Sequence, residues 1–143
     1  MTIGIIVHSK TGHTLLVAEQ LRDKLLSSGH DTVLIRIEDR PAFDRFDTLV
    51  LGSHTEGFAL APEMASYLKS LPENALDRKK TALLITHAFP FHAMGGNQAM
   101  WGFKILAQNL GAFIASEEII DWSNPGRNRQ IENAVIRMAE SLQ

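Results

Sequence analysis

The chain has 143 residues, 45% hydrophobic and 21% charged, which is enough apolar material for one well-cored domain and too much for a disordered chain. Lys and Arg number 14 against 16 Asp and Glu, a net charge of -2 spread over both halves, so no basic stripe marks a nucleic-acid surface. There is no cysteine, hence no disulfide, thiolate nucleophile or Cys-ligated metal, and no signal-type or membrane-spanning apolar run, so a cytoplasmic location without membrane association is the expectation.

Residues 3–7 form a continuous apolar run rich in β-branched side chains, as a strand covered on both faces requires. The run changes abruptly to His8-Ser9-Lys10-Thr11-Gly12-His13-Thr14, after which residues 15–28 read as an amphipathic helix with Val17, Leu21 and Leu25 on one stripe and Ala18 beside it. Strand, hydroxyl-rich turn and helix together suit a phosphate, because the first N–H groups of a helix lack partners and that end is partly positive. Gly12 permits a backbone conformation that a Cβ would obstruct. The competing reading is that Ser9, Thr11 and Thr14 only cap the helix, as Ser and Thr commonly do.

Residues 27–31 stop the helix, and 32–37 alternate as a partly polar edge strand. A polar connection containing Pro41 follows, with Phe43 and Phe46 expected to pin it to the core. Residues 48–53 are a candidate central strand that empties into the loop His54-Thr55-Glu56-Gly57-Phe58-Ala59. Pro62 opens a helix ending at Leu71. Residues 81–86 form the fourth strand, followed by a loop from His87 and Ala88 through Phe89-Pro90-Phe91 to Gly95-Gly96-Asn97. A helix over 98–110 ends at Gly111, and Trp101, at helical spacing from Ile105, is expected in the core. The last strand lies within 113–121 and is expected to be irregular at Glu117-Glu118. A final helix over 127–142 should bury Ile131, Val135, Met138 and Leu142. No repeat or linker interrupts the chain.

Five strands alternating with helices predict a doubly wound parallel sheet with right-handed crossovers and helices on both faces. For strand order 2-1-3-4-5 the ligand edge lies beyond the carboxyl ends of the first and third strands. The loops after strands one, three and four therefore share one site.

Over essentially its whole length the sequence resembles a short-chain flavodoxin. Ser9-Lys10-Thr11-Gly12-His13-Thr14 is similar to the T/S-x-T-G-x-T loop that holds the FMN phosphate in that family. His54, Thr55, Glu56, Gly57 and Phe58 take the place of its second flavin loop. His87, Ala88, Phe89, Phe91, Gly95, Gly96 and Asn97, with Pro90 and Met94 among them, resemble the third loop of a subgroup with a G-F-P-F-x-x-M-G-G-N pattern. The resemblance implies an FMN cofactor, electron transfer to a redox partner protein, and a peptide next to Gly57 that turns over on flavin reduction. The alternative it leaves open is an FMN-dependent NAD(P)H oxidoreductase of the quinone reductase type. The only tyrosine, Tyr67, falls inside a predicted helix, so Phe58, Phe89 or Phe91 would supply the aromatic wall for a flavin ring.

Other uses of such a fold lack their residues. A phospho-receiver needs an acidic cluster after strand one and an Asp ending strand three, where His8-Ser9 and Gly52-Ser53 stand. A low-molecular-weight phosphatase needs a cysteine, and neither dinucleotide nor P-loop glycine pattern occurs. Five of six histidines, His8, His13, His54, His87 and His92, fall at the presumed ligand edge. A metal reading with Glu56 or Asp121 as carboxylate has no local ligand spacing behind it, so no metal site is expected; Trp122 has no assigned role.

Overall fold

The computed structural model describes residues 2–143. In chain order it contains β1 (Thr2–His8), α1 (His13–Ser27), β2 (Asp31–Arg36), a 3-10 turn (Ile37–Asp39), β3 (Thr48–Glu56), β4 (Ala59–Leu60) and α2 (Pro62–Ser70). There follow β5 (Lys80–His87), a π-type turn (His92–Gly96), α3 (Asn97–Asn109), β6 (Phe113–Asp121) and α4 (Arg127–Ser141). Five strands pair in parallel in the order β2-β1-β3-β5-β6, which is the expected 2-1-3-4-5 arrangement, and the two-residue β4 pairs antiparallel with the end of β3.

Alternation along the strands divides the core in two, since successive side chains point to opposite faces. Ile3, Ile5 and Val7 of β1, Val50 of β3 and Leu84 of β5 pack on α1 and α4, through Val17, Leu21, Leu25, Ile131, Val135 and Met138. Ile6, Leu49, Leu51, Leu83 and Ile85 face the other way, onto α2, α3 and the connection before β3, through Met64, Leu68, Phe103, Phe43 and Phe46. Gly4 makes room for this second layer: a Cβ there would lie 2.8 Å from the Phe46 ring. The stripes expected for the first and last helices are the buried ones, and Phe43 and Phe46 do pin their connection.

The structure corrects three expectations. His54, Thr55 and Glu56 belong to β3, not to a loop, because β4 folds back on them as a short hairpin. The irregularity of β6 lies earlier than Glu117-Glu118: Thr81 pairs with Ile114 but Ala82 with Ser116, so Ala115 is the extra, bulged residue. Trp101 is 69% exposed, since α3 buries the stripe Ala99, Met100, Phe103 and Ala107 and position 101 lies off that face. No helix among the described residues is long and apolar enough to cross a membrane.

Candidate functional site

Parallel register brings the strand ends level. His8 pairs with Ser53, His54 with Thr86, and His87 with Asp121, so the carboxyl edge of the sheet carries a row of imidazole and carboxylate groups. Three loops rise from this edge, and each is shaped differently.

The loop after β1 ends in a bare helix start. Gly12 is the N-cap of α1 with φ 92°, a left-handed conformation, and nothing within 4 Å would meet a Cβ, so the backbone angle and not space calls for glycine. Ser9 Oγ accepts from the Leu15 N–H at 3.3 Å, and Leu16 N–H reaches the Gly12 carbonyl at 3.0 Å. The amides of Thr11, Gly12, His13 and Thr14 make no hydrogen bond to another described residue, and Lys10, Thr11 and Gly12 are exposed. This is a cluster of free donors at the positive end of a 15-residue helix, the arrangement that receives an anion. Both sequence readings have some physical basis here: Ser9 caps, while Thr11 stands free. Thr14 does neither, and its expected hydroxyl contact to phosphate is corrected. Its side chain is fully buried, and its Oγ1 lies 2.8 Å from Thr86 Oγ1 across the core.

His13 is half-buried because its ring stacks on Trp122 with centroids 3.8 Å apart and planes 9° from parallel, and Arg127 lies over the same indole at 4.7 Å. The role of Trp122 is thus to tie the start of α1 to the turn before α4. Burial first, then the Arg127 charge, lowers the His13 pKa from its ordinary value.

The second loop is a tight hairpin. Glu56 pairs with Ala59, leaving Gly57 and Phe58 as a two-residue turn with Gly57 at φ 60°. Lys10 Nζ lies 3.8 Å from Glu56 Oε1, bridging the first loop to the second. Both groups are solvated, so the bridge contributes little to stability, of order 0–1 kcal/mol. Phe58 is 57% exposed and packs over Gly95, where a Cβ would lie 2.4 Å from the Phe58 ring. Its ring meets Phe89 edge-on at 6.0 Å. Phe91 and Met94 are exposed beside them. A planar ligand therefore meets an aromatic cluster, and must stack on its outer face or displace Phe58 from Gly95.

The third loop is laced to the β6–α4 turn. The Asp121 carboxylate accepts from His87 Nε2 at 2.6 Å, His92 Nδ1 at 2.7 Å and Gln130 Nε2 at 2.9 Å, while its own N–H donates to Gln130 Oε1 at 2.9 Å. Trp122 N–H donates to the His87 carbonyl at 2.9 Å, Ser123 Oγ donates to the Ala88 carbonyl, and Asn124 Nδ2 donates to the Pro90 carbonyl at 2.8 Å. His87 is accordingly buried, and the expectation that it faces a ligand is corrected: its ring fills the space under Gly96, where a Cβ would be 3.1 Å from His87 Nε2. Ala88, Phe89, Phe91 and Asn97 are exposed, whereas Gly95 and Gly96 are buried.

Gln130 on the Asp121 network, and Glu38 and Glu63 beside His8, were not singled out by sequence reasoning, which placed His92 at the ligand edge and weighed Asp121 only as a metal carboxylate. Their partners are distant in the chain, and only the level strand ends of a parallel sheet hint that they meet.

The titration of this edge has a definite sign. Burial is the first cause lowering the His54 pKa below the ordinary 6.5, helped by His8 and opposed by Glu63 and Glu56. Burial pushes Asp121 up, but hydrogen bonds from His87, His92 and Gln130 outweigh it and hold the carboxyl below its ordinary value of 3.8. As pH falls through 6.5, the unfolded chain binds protons at residues 13 and 54 before the folded one does, so stability declines. Asp121 adds stability that is present above 3.8 and is lost as pH falls through its lower folded value. Urea midpoints measured in chelator should thus fall in two stages, the first beginning as pH drops below 6.5 and the second below 3.8. A profile with no decline below 6.5 would contradict the lowering of the His54 pKa by burial.

No family model matches the chain, and no curated protein matches it. Solved structures do. Oxidised flavodoxin 2 of Bacillus cereus superposes with a TM-score of 0.75 at 21% identity, covering 98% of this chain and 99% of that one. A short-chain flavodoxin associated with a non-canonical PDU bacterial microcompartment gives a TM-score of 0.78 at 20% identity, covering 99% and 96%. An NADH:FMN oxidoreductase in its apo form gives 0.76 at 17%, covering 99% and 90%. The fold is flavodoxin-like from end to end.

Proposed function

We propose, on the premise of a flavodoxin-like fold, that the chain binds one FMN and carries electrons between redox proteins. The observation that bears most weight is the row of unpartnered amides over residues 11–14 at the start of α1, at the edge where two further loops converge. Those amides and the Thr11 hydroxyl would hold the phosphate, with Lys10 adding charge. Phe58, Phe89 and Phe91 would cover the ring, and FMN would supply the one- and two-electron redox chemistry. The hairpin at Gly57 and Phe58, with Thr55 and Glu56 at the end of β3, and the third loop, through Ala88 and Asn97, would position it. Exposed Phe91, Met94 and Trp101 leave apolar surface on the loop and the helix that follows it, which suits a partner protein's approach.

The alternative, an FMN-dependent NAD(P)H oxidoreductase, draws on the likeness to the NADH:FMN oxidoreductase. Against it, the turn after β3 has only two residues and the loop after β5 brings its aromatic cluster to the surface, leaving few residues to enclose a second substrate. A cytoplasmic setting fits the carrier reading.

Titration of the flavin-free chain with FMN should give saturable quenching of flavin fluorescence at one per chain, and its absence at micromolar flavin would sink the proposal. Within that experiment, Thr11→Ala should weaken FMN by about 1.5–3 kcal/mol, the loss of one hydrogen bond to a charged group, and leave riboflavin unchanged. Thr14→Ala, whose hydroxyl is internal, should instead weaken both flavins alike, through the helix start it supports.

A further inference from the structure

We propose that His8, His54 and Glu63 form a site for a divalent transition-metal cation of the zinc type, with Glu38 orienting His8 from behind. The site stands apart from the flavin reading and does not depend on it. His8 ends β1, His54 lies in β3 and Glu63 is in the first turn of α2. Each offers one ligand atom, and the three atoms lie within 4.8 Å of one another.

The hydrogen-bond ledger around His8 does not close with a neutral ring. Its Nδ1 is 2.9 Å from Glu38 Oε1 and its Nε2 is 3.1 Å from Glu63 Oε2. A neutral imidazole carries one N–H, so one nitrogen must present its lone pair to a carboxylate that also has only lone pairs. With Nδ1–H donated to Glu38, the Nε2 lone pair and the Glu63 oxygen converge, and a cation between them turns repulsion into coordination. A carboxylate behind a ligating histidine is also the usual way in which such rings are oriented.

His54 supplies an independent sign. Both of its ring nitrogens are buried and without a hydrogen-bond partner, and its ring centroid is 5.0 Å from that of His8. A polar ring buried with neither nitrogen satisfied is costly, and coordination answers one of the two. Donors of a tetrahedral zinc set lie roughly 3.4 Å apart, so a modest contraction closes the cluster. Glu63 can make it, because its side chain is 46% exposed. A groove of about 690 Å³, lined by Ile37, Glu38, Arg40, Glu63 and Tyr67 among others, opens on the carboxylate side of the cluster. Two imidazoles and one carboxylate select zinc, nickel or copper over magnesium or calcium, which prefer oxygen throughout.

The second His–Asp cluster on this edge is different in kind. Asp121 already accepts a hydrogen bond from each of His87, His92 and Gln130, so no lone pairs clash there.

The test is calorimetric titration of the chelator-treated full chain with Zn²⁺. We expect one Zn²⁺ per chain, weakened at least about 30-fold by His54→Ala and by Glu63→Gln and about 10-fold by Glu38→Gln, the range in which ligands and their orienting partners act. His30→Ala, on a turn at the opposite end of the sheet, should bind as the parent does. Zn²⁺ should also raise the melting temperature of the parent and of His30→Ala but not of Glu63→Gln. Glu63 is solvent-facing, so its variant keeps the test valid if His54→Ala does not fold. No saturable binding below about 100 μM Zn²⁺ would overturn the proposal. Equal binding by Glu63→Gln would overturn it too, by placing the ion elsewhere.

Discussion

Asp121→Ala is expected to lower the melting temperature by roughly 10–15 °C, from a loss of about 3–5 kcal/mol when one member of a buried, hydrogen-bonded charge network is removed. Three donors converge on this carboxylate, and His87 would be left with neither ring nitrogen partnered, since its Nδ1 is already a buried orphan. Asp121→Asn keeps the shape but brings an N–H₂ against donors, so it should recover little. The contrast is Arg137, which bonds Glu118 through two of its nitrogens but is 57% exposed. Arg137→Ala should cost less, about 1–2 kcal/mol, because the Arg137 end of the pair is solvated even though Glu118 itself is buried. The Asp121 loss should also be felt in the third loop, where His92 is held by the same carboxylate. Exchange of the amides of Ala88, Phe89, Phe91 and His92 should quicken in Asp121→Ala well beyond any change in β5. Equal melting temperatures for the Asp121 and Arg137 variants would show that the network carries no special weight.

The fold was legible because each of its causes is local. Apolar runs at 3–7, 48–53 and 81–86 need cover on both faces, and the helical stripes at Val17-Leu21-Leu25 and Ile131-Val135-Met138 supply one of the covers. Gly12 was legible for the same reason, since a turn into a helix needs its positive φ. Trp101 was misplaced because Ile105 is itself only partly buried and does not mark the face that Phe103 defines. Histidine at the edge was visible as a count, but its roles were not. Whether His87 meets Asp121, or His8 meets Glu63, depends on which strands are neighbours and where each stops, and no spacing along one strand encodes that. Thr14 shows the converse: it stands in the right place in a motif, yet one rotamer turns its hydroxyl from the ligand edge to Thr86.

Gly95→Ala should be the most damaging single-methyl change among the candidate flavin loops. At φ 100° an L-residue lies outside the ordinary left-handed basin, a strain of about 1–3 kcal/mol before any contact is considered. The new Cβ would then lie 2.4 Å from Phe58 Cδ1 and 3.1 Å from Phe58 Cα. The ring can swing away, being 57% exposed, but the backbone of a two-residue hairpin cannot easily follow. Gly57→Ala makes a useful reference, since its φ of 60° lies within the left-handed basin and a Cβ there meets nothing within 4 Å. It should cost about 1–2 kcal/mol and no more. A double-mutant cycle separates the two parts of the Gly95 effect. Phe58→Ala alone should be nearly neutral for stability, while in the Gly95→Ala background it should restore about 1 kcal/mol or more, leaving the backbone strain behind. If the two substitutions simply add, the second and third loops are not in contact, and the closed aromatic cluster over the ligand edge is wrong.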